Sequence, residues 1–121
     1  MLKWRALLMD KHPVKIKIHD VVLKNAVVRL IKEFSPEQVF IFGSVARGTA
    51  HEGSDYDLLL VVSQSNEPGY RRAQRAYKLL WGIGKAVDVI IYTRAEFEDM
   101  KGTFGTLPET VCREGKELEA A

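Results

Sequence analysis

The chain of 121 residues is nearly without cysteine, with Cys112 standing alone. No internal disulfide can form, so a reducing, cytoplasmic setting is the expectation. Long hydrophobic runs are missing too. The longest is Leu58–Val62, five residues, where a spanning helix needs about 20, so no membrane association is expected. The opening stretch MLKWRALLMDKHP mixes charges into its apolar residues and lacks a small-residue cleavage site, unlike a secretory signal. Charge of one sign hardly accumulates: the net value is +2. That argues neither for a broad nucleic-acid-binding surface nor against a local basic patch. Repeats, low-complexity tracts and Gly/Pro/Ser-rich linkers are absent, which leaves one domain.

With 46% hydrophobic and 28% charged residues, the chain can bury one core. Residues 1–19 have no clear period and read as an N-terminal extension of unknown role, followed by a domain over 20–121. Asp20 is a suitable N-cap for a helix whose apolar stripe is Leu23, Ala26, Val27, Leu30, Ile31 and Phe34, ended by Ser35-Pro36. VFIF (39–42) reads as a strand stopped by Gly43, and 56–62 as a second strand. From Pro68 a second amphipathic helix is expected, with Tyr70, Ala73, Tyr77 and Leu80 inward. Arg71, Arg72, Arg75 and Lys78 then fall on its other side. Gly82 and Gly84 break that helix, AVDVIIY (86–92) is a third strand, and 94–100 and 107–114 are short closing helices. The fold class is α/β (α+β), a small mixed sheet flanked by helices.

Three aspartates intrude on the strands. Asp55 and Asp57 lie at the start of an otherwise greasy segment, and Asp88 lies between Val87 and Val89. Asp is a poor strand former, and residues two apart on a strand share a face roughly 6–7 Å from one another. At an effective dielectric near 20, two such carboxylates repel by on the order of 2–3 kcal/mol. A divalent cation reverses the sign of that interaction, and carboxylate with phosphate oxygens is the donor set Mg²⁺ prefers. Gly43-Ser44 supplies a complementary half: a glycine after a strand allows a sharp turn and close approach of backbone N–H groups to phosphate. Arg47 can neutralise a further phosphate charge.

Gly43-Ser44, ten residues, then Asp55-Tyr56-Asp57 resembles the Gly-Ser-x10-Asp-x-Asp signature of the polymerase β-like nucleotidyltransferase superfamily. FGSVARGTAHEGSDYDLLLVV followed by VDVIIY is similar to the minimal nucleotidyltransferases, the MNT group, over about residues 21–118. The resemblance implies the polymerase β-like fold. It implies that Asp55, Asp57 and Asp88 hold metal, two Mg²⁺ ions, and serve catalysis, Asp88 by helping to activate the attacking hydroxyl. Gly43 and Ser44 would bind the phosphates of ATP, with Arg47 beside them. The implied reaction transfers AMP from ATP to a hydroxyl and releases pyrophosphate. Small members pair as antitoxin with a HEPN-domain toxin and are implied to modify its tyrosine. A chain this short has nothing to spare for an acceptor-binding domain, so the acceptor is expected on another polypeptide, in a hetero- or homo-oligomer, and not as nucleic acid. The chain departs from the pattern at Glu119, where an aromatic is usual, and in its basic first twenty residues.

Other readings stand beside this one. Gly-Ser after a strand also serves as a plain turn, Asp-x-Asp as a strand cap, and Asp88 as a salt-bridged buried acid. A binding-only antitoxin, with its aspartates idle, is one rival. A small-molecule transferase of the aminoglycoside-modifying type, working as a homodimer, is another. Arg71, Arg72, Arg75 and Lys78 read first as a solvated helix face. Tyr56 is expected in the core, and Tyr70, Tyr77 and Trp81 in core or interface. His12, His19, His51 and Cys112 lack the spacing of a zinc site.

Overall fold

A computed structural model of the chain describes residues 15–50 and 55–119. His12, His51 and the first fourteen residues of the N-terminal extension lie outside the described residues. The elements run β1 (Lys15–Ile16), α1 (Val21–Phe34), β2 (Gln38–Phe42), α2 (Ser44–Arg47), β3 (Tyr56–Val62), α3 (Gly69–Leu79), β4 (Val87–Thr93), α4 (Arg94–Met100), α5 (Leu107–Glu114) and β5 (Lys116–Leu118). The sheet has the order β1-β5-β2-β3-β4. β2 is antiparallel to both β3 and β5, whereas β3–β4 and β1–β5 are parallel.

β3 is the spine. Leu58, Leu59, Leu60 and Val61 are fully buried because both faces of the sheet are covered. Leu58 and Leu60 pack with Leu23, Val27 and Leu30 of α1 and with Ala76 of α3. Leu59 and Val61 pack with Phe40, Phe97 of α4 and Val111 of α5. Phe40 and Phe97 stack with ring centroids 5.7 Å apart. A continuous apolar run is what a strand buried on both faces requires.

Local chemistry fixes the ends. Asp20 caps α1 as expected, accepting from the Val22 and Leu23 N–H groups at 2.7 and 3.1 Å. Thr93 and Glu96 form a capping box at the start of α4. Two strands escape the sequence reading: β1 and β5 have two and three residues, too few for alternation to register. Residues 15 and 16, counted with the N-terminal extension on sequence, therefore contribute an edge strand. Glu119 donates its N–H to the Ile16 carbonyl at 2.9 Å.

The expected phase of α3 is wrong. Tyr70 and Tyr77 are exposed, while Arg72 joins Ala76 and Leu80 in the buried set. Bulk drew the stripe through the aromatics, yet the guanidinium finds partners inside. Arg72 donates to the Ile91 carbonyl at 2.8 Å and to both carboxylate oxygens of Glu96 at 2.9 and 3.1 Å. These hydrogen bonds, with that from the Thr93 N–H, hold the Glu96 carboxyl down at about 2. Its folded value lies below the ordinary 4.5, so its stabilisation is complete above 4.5 and is lost as pH falls toward 2. The Glu96 side chain is 40% exposed, so solvent screens part of the pair. Arg72→Met is expected to cost about 2 kcal/mol at neutral pH and to flatten the acid limb of the stability profile. Urea unfolding at pH 7 and pH 3 checks both; an unchanged acid limb would remove the pair from the account.

Candidate active site

Strand pairing brings the two halves of the motif together. β2 ends at Phe42, and its antiparallel partner β3 starts beside it, with Phe42 opposite Asp57. Gly43 and Ser44 therefore emerge next to the start of β3, and the ten-residue spacer is the connection between them. On the other side of β3, the parallel register sets Asp57 against Asp88. Phe42, Asp57 and Asp88 thus form one row across three strands.

Gly43 has φ +73° and ψ −151°, a region essentially reserved for glycine. A Cβ at this position would land on Oδ2 of Asp57, so the backbone lies directly against that carboxylate. Ser44 opens α2, and N–H groups in a helix's first turn have no intrahelical acceptor. The Ser44 carbonyl accepts from the Thr49 N–H at 2.9 Å, and Arg47 donates its N–H to the Gly43 carbonyl at 3.1 Å, folding the segment into a single turn. Gly48, at φ +75°, ends it.

The electrostatics single out Asp57. Burial, then the charges of Asp88 and Asp55, push its carboxyl above the ordinary aspartate value, and Arg47 pulls the other way. Asp57 is half-buried; Asp55 and Asp88 are exposed at the margin. The alternative of Asp88 as a salt-bridged buried acid is corrected: β4 is an edge strand among the described residues, and water reaches this carboxylate. Arg47 is exposed at the end of α2.

Sequence reasoning missed the brace beneath this row. Tyr56 is in the core as expected, and its hydroxyl donates to Oδ2 of Asp20 at 2.6 Å, tying the start of β3 to the start of α1. Burial and the Asp20 acceptor push the phenol up to about 12. The Lys85 ammonium lies 4.4 Å from the Tyr56 ring centroid. A core tyrosine's need for an acceptor was the available signal.

Among the described residues no three His, Cys, Asp or Glu side chains form a ready-made metal cage. The donors nevertheless suit a hard cation that shares phosphate oxygens, since carboxylates that repel one another lie beside a backbone open enough for a phosphate. The nucleotidyltransferase domain profile matches residues 22–111. The chain belongs to this family.

As a nucleotidyltransferase domain, it is 25% identical over 97 residues to the protein adenylyltransferase MntA of Shewanella oneidensis, covering 78% of this chain. The chain spans only 63% of that relative's length. A solved structure from Sulfolobus solfataricus, described as a candidate nucleotidyltransferase, aligns with TM-score 0.53 at 29% identity. That alignment covers 66% of this chain and 71% of the other, and the shared architecture is the polymerase β-like fold. A toxin–antitoxin structure with AMP-PNP aligns at 21% identity and TM-score 0.48, over 78% and 70% of the two chains, too distant to argue from. In the nucleotidyltransferase domain here, the family match spans the whole row from Phe42 through Asp57 to Asp88. No helix among the described residues is long and apolar enough to cross a membrane.

Proposed function

We propose that this protein transfers AMP from ATP to a tyrosine hydroxyl of a HEPN-type toxin, with Mg²⁺, and thereby acts as its antitoxin. The observation that carries the reading is the register of Asp57 against Asp88, with the Gly43 backbone pressed on the Asp57 carboxylate. The adenylyltransferase name of the Shewanella relative supports the nucleotide and the polypeptide acceptor.

Asp55, Asp57 and Asp88 would hold the metal, which when bound supplies charge neutralisation on the triphosphate and the acceptor oxygen. The chain's own contributions follow from its geometry. Ser44 and the first N–H groups of α2 receive phosphate oxygens. Arg47 offsets the negative charge that gathers when a triphosphate meets three carboxylates. Asp88, exposed at the sheet margin, takes the proton of the attacking hydroxyl. The acceptor oxygen bonds to the α-phosphorus, the bond from that phosphorus to the bridging oxygen breaks, and pyrophosphate leaves with the electron pair. Holding the two oxygens in line is the main catalytic task, because phosphoryl chemistry depends chiefly on positioning and charge.

The experiment is incubation with a HEPN-type toxin, ATP labelled at the α-phosphate, and Mg²⁺. Label is expected on a tyrosine of the partner, and EDTA abolishes it. Neutralisation of the toxin with no label on it would replace catalysis by occlusion.

A further inference from the structure

The two helical layers carry opposite charge. α1 and α3 hold seven lysines and arginines against one glutamate; Arg72 is turned inward to Glu96 and Arg75 is paired with Glu33 and Glu67, which leaves five basic side chains exposed. α4 and α5 hold two arginines against five carboxylates. A net charge of +2 conceals this polarity.

The basic layer also carries an aromatic stripe. Tyr70, Tyr77 and Trp81 are 63%, 65% and 73% exposed, and positions i, i+7 and i+11 lie along one line of a helix. Tyr77 and Trp81 meet edge to face at 5.9 Å. Arg29 of α1 donates to the Leu79 carbonyl at 3.2 Å, which ties the two helices side by side. Arg71 and Lys78 are exposed on α3, each one position on from a stripe tyrosine. Aromatics at the centre and arginine at the margin are the composition of a protein interface. The stripe also runs toward the active-site end, because the segment after Trp81 leads into β4 and Asp88.

We propose that this face of α3 docks an acidic helical surface of a partner protein, and that the acceptor polypeptide is held there. The inference rests on the reading of a polypeptide acceptor and adds where that polypeptide binds. Protein fits better than nucleic acid: the stripe lies on a convex helix, whereas single strands favour a groove whose aromatics stack bases. A helix laid along α3 buries the stripe and brings its carboxylates to Arg71 and Lys78.

The test titrates two probes against the full chain: a HEPN-type toxin protein, and a synthetic amphipathic helix with glutamates flanking a leucine stripe. Arg71→Glu/Lys78→Glu is expected to weaken binding of both by at least about 30-fold, and Tyr77→Ser/Trp81→Ser by at least about 10-fold. Binding of a fluorescent ATP analogue is expected to stay within about twofold of wild type, which separates docking from a damaged fold. Unchanged affinity in both double variants overturns the proposal. If the HEPN-type protein binds nowhere on the chain, the functional reading fails instead, and the synthetic helix decides the face: charge-sensitive binding keeps it and none removes it. A single-stranded RNA of about 20 nucleotides that binds tighter than the helix and is lost in the same variants also overturns it.

Discussion

Asp57→Asn is expected to lower AMP transfer by about 10³-fold or more while raising the melting temperature of the free protein. The two effects share one cause. Asp57 sits against Asp88 in register, has Asp55 two residues before it, and is the half-buried member of the three. Its carboxylate therefore forms at a cost from burial and these like charges, which is why its titration is displaced upward. The folded state holds that proton to a higher pH than the unfolded chain does. The penalty is therefore complete above the raised value and fades as pH falls toward the ordinary 3.8. Asparagine keeps the shape and removes the charge, so stability rises by on the order of 1 kcal/mol at pH 7, and less at pH 4. The same charge is what a metal–triphosphate needs, and losing one electrostatic anchor in such a site costs on the order of 10²–10³ or more. Calorimetry at pH 7 and pH 4, with the labelling assay, measures both sides. A variant that lost stability and kept activity would remove Asp57 from the site.

Gly43→Ala is expected to destabilise the chain by about 3 kcal/mol. Two independent obstacles add. The backbone angles at Gly43 are closed to residues with a Cβ, and the added carbon falls on the Asp57 carboxylate. Relief requires either turning the peptide, which redirects the Ser44 N–H, or pushing Asp57 out of its row. Each route also removes activity, so transfer should fall at temperatures where the variant remains folded. Gly48→Ala is the control: its φ is also positive, yet open space surrounds the missing Cβ. Backbone strain alone then predicts about 1 kcal/mol. Equal losses at the two glycines, by chemical denaturation, would show that the Asp57 contact is immaterial.

What the sequence made legible is what short-range chemistry decides. Asp20 and the stripe from Leu23 to Phe34 define α1, and five consecutive apolar residues define the buried part of β3. The motif halves were visible as residue types at a spacing, but not the reason they meet, which is the antiparallel pairing of Phe42 with Asp57. Long-range partners decided the rest. Arg72 faces inward because Glu96 and the Ile91 carbonyl receive it, and nothing within α3 announces them. β1 and β5 exist only through each other and β2. The exposure of Asp88 depends on β4 being at the sheet's edge, a property of strand order that no local pattern encodes.

That strand order gives the site unequal stiffness. Asp57 rides on a strand hydrogen-bonded along both sides and buried beneath two helical layers. Asp88 rides on the outermost strand, with a ladder on one side only. One carboxylate is thus clamped to the frame and the other is sprung. On the function proposed above, the nucleotide would stay anchored while the carboxylate assigned to the incoming hydroxyl adjusts to a partner of varying fit.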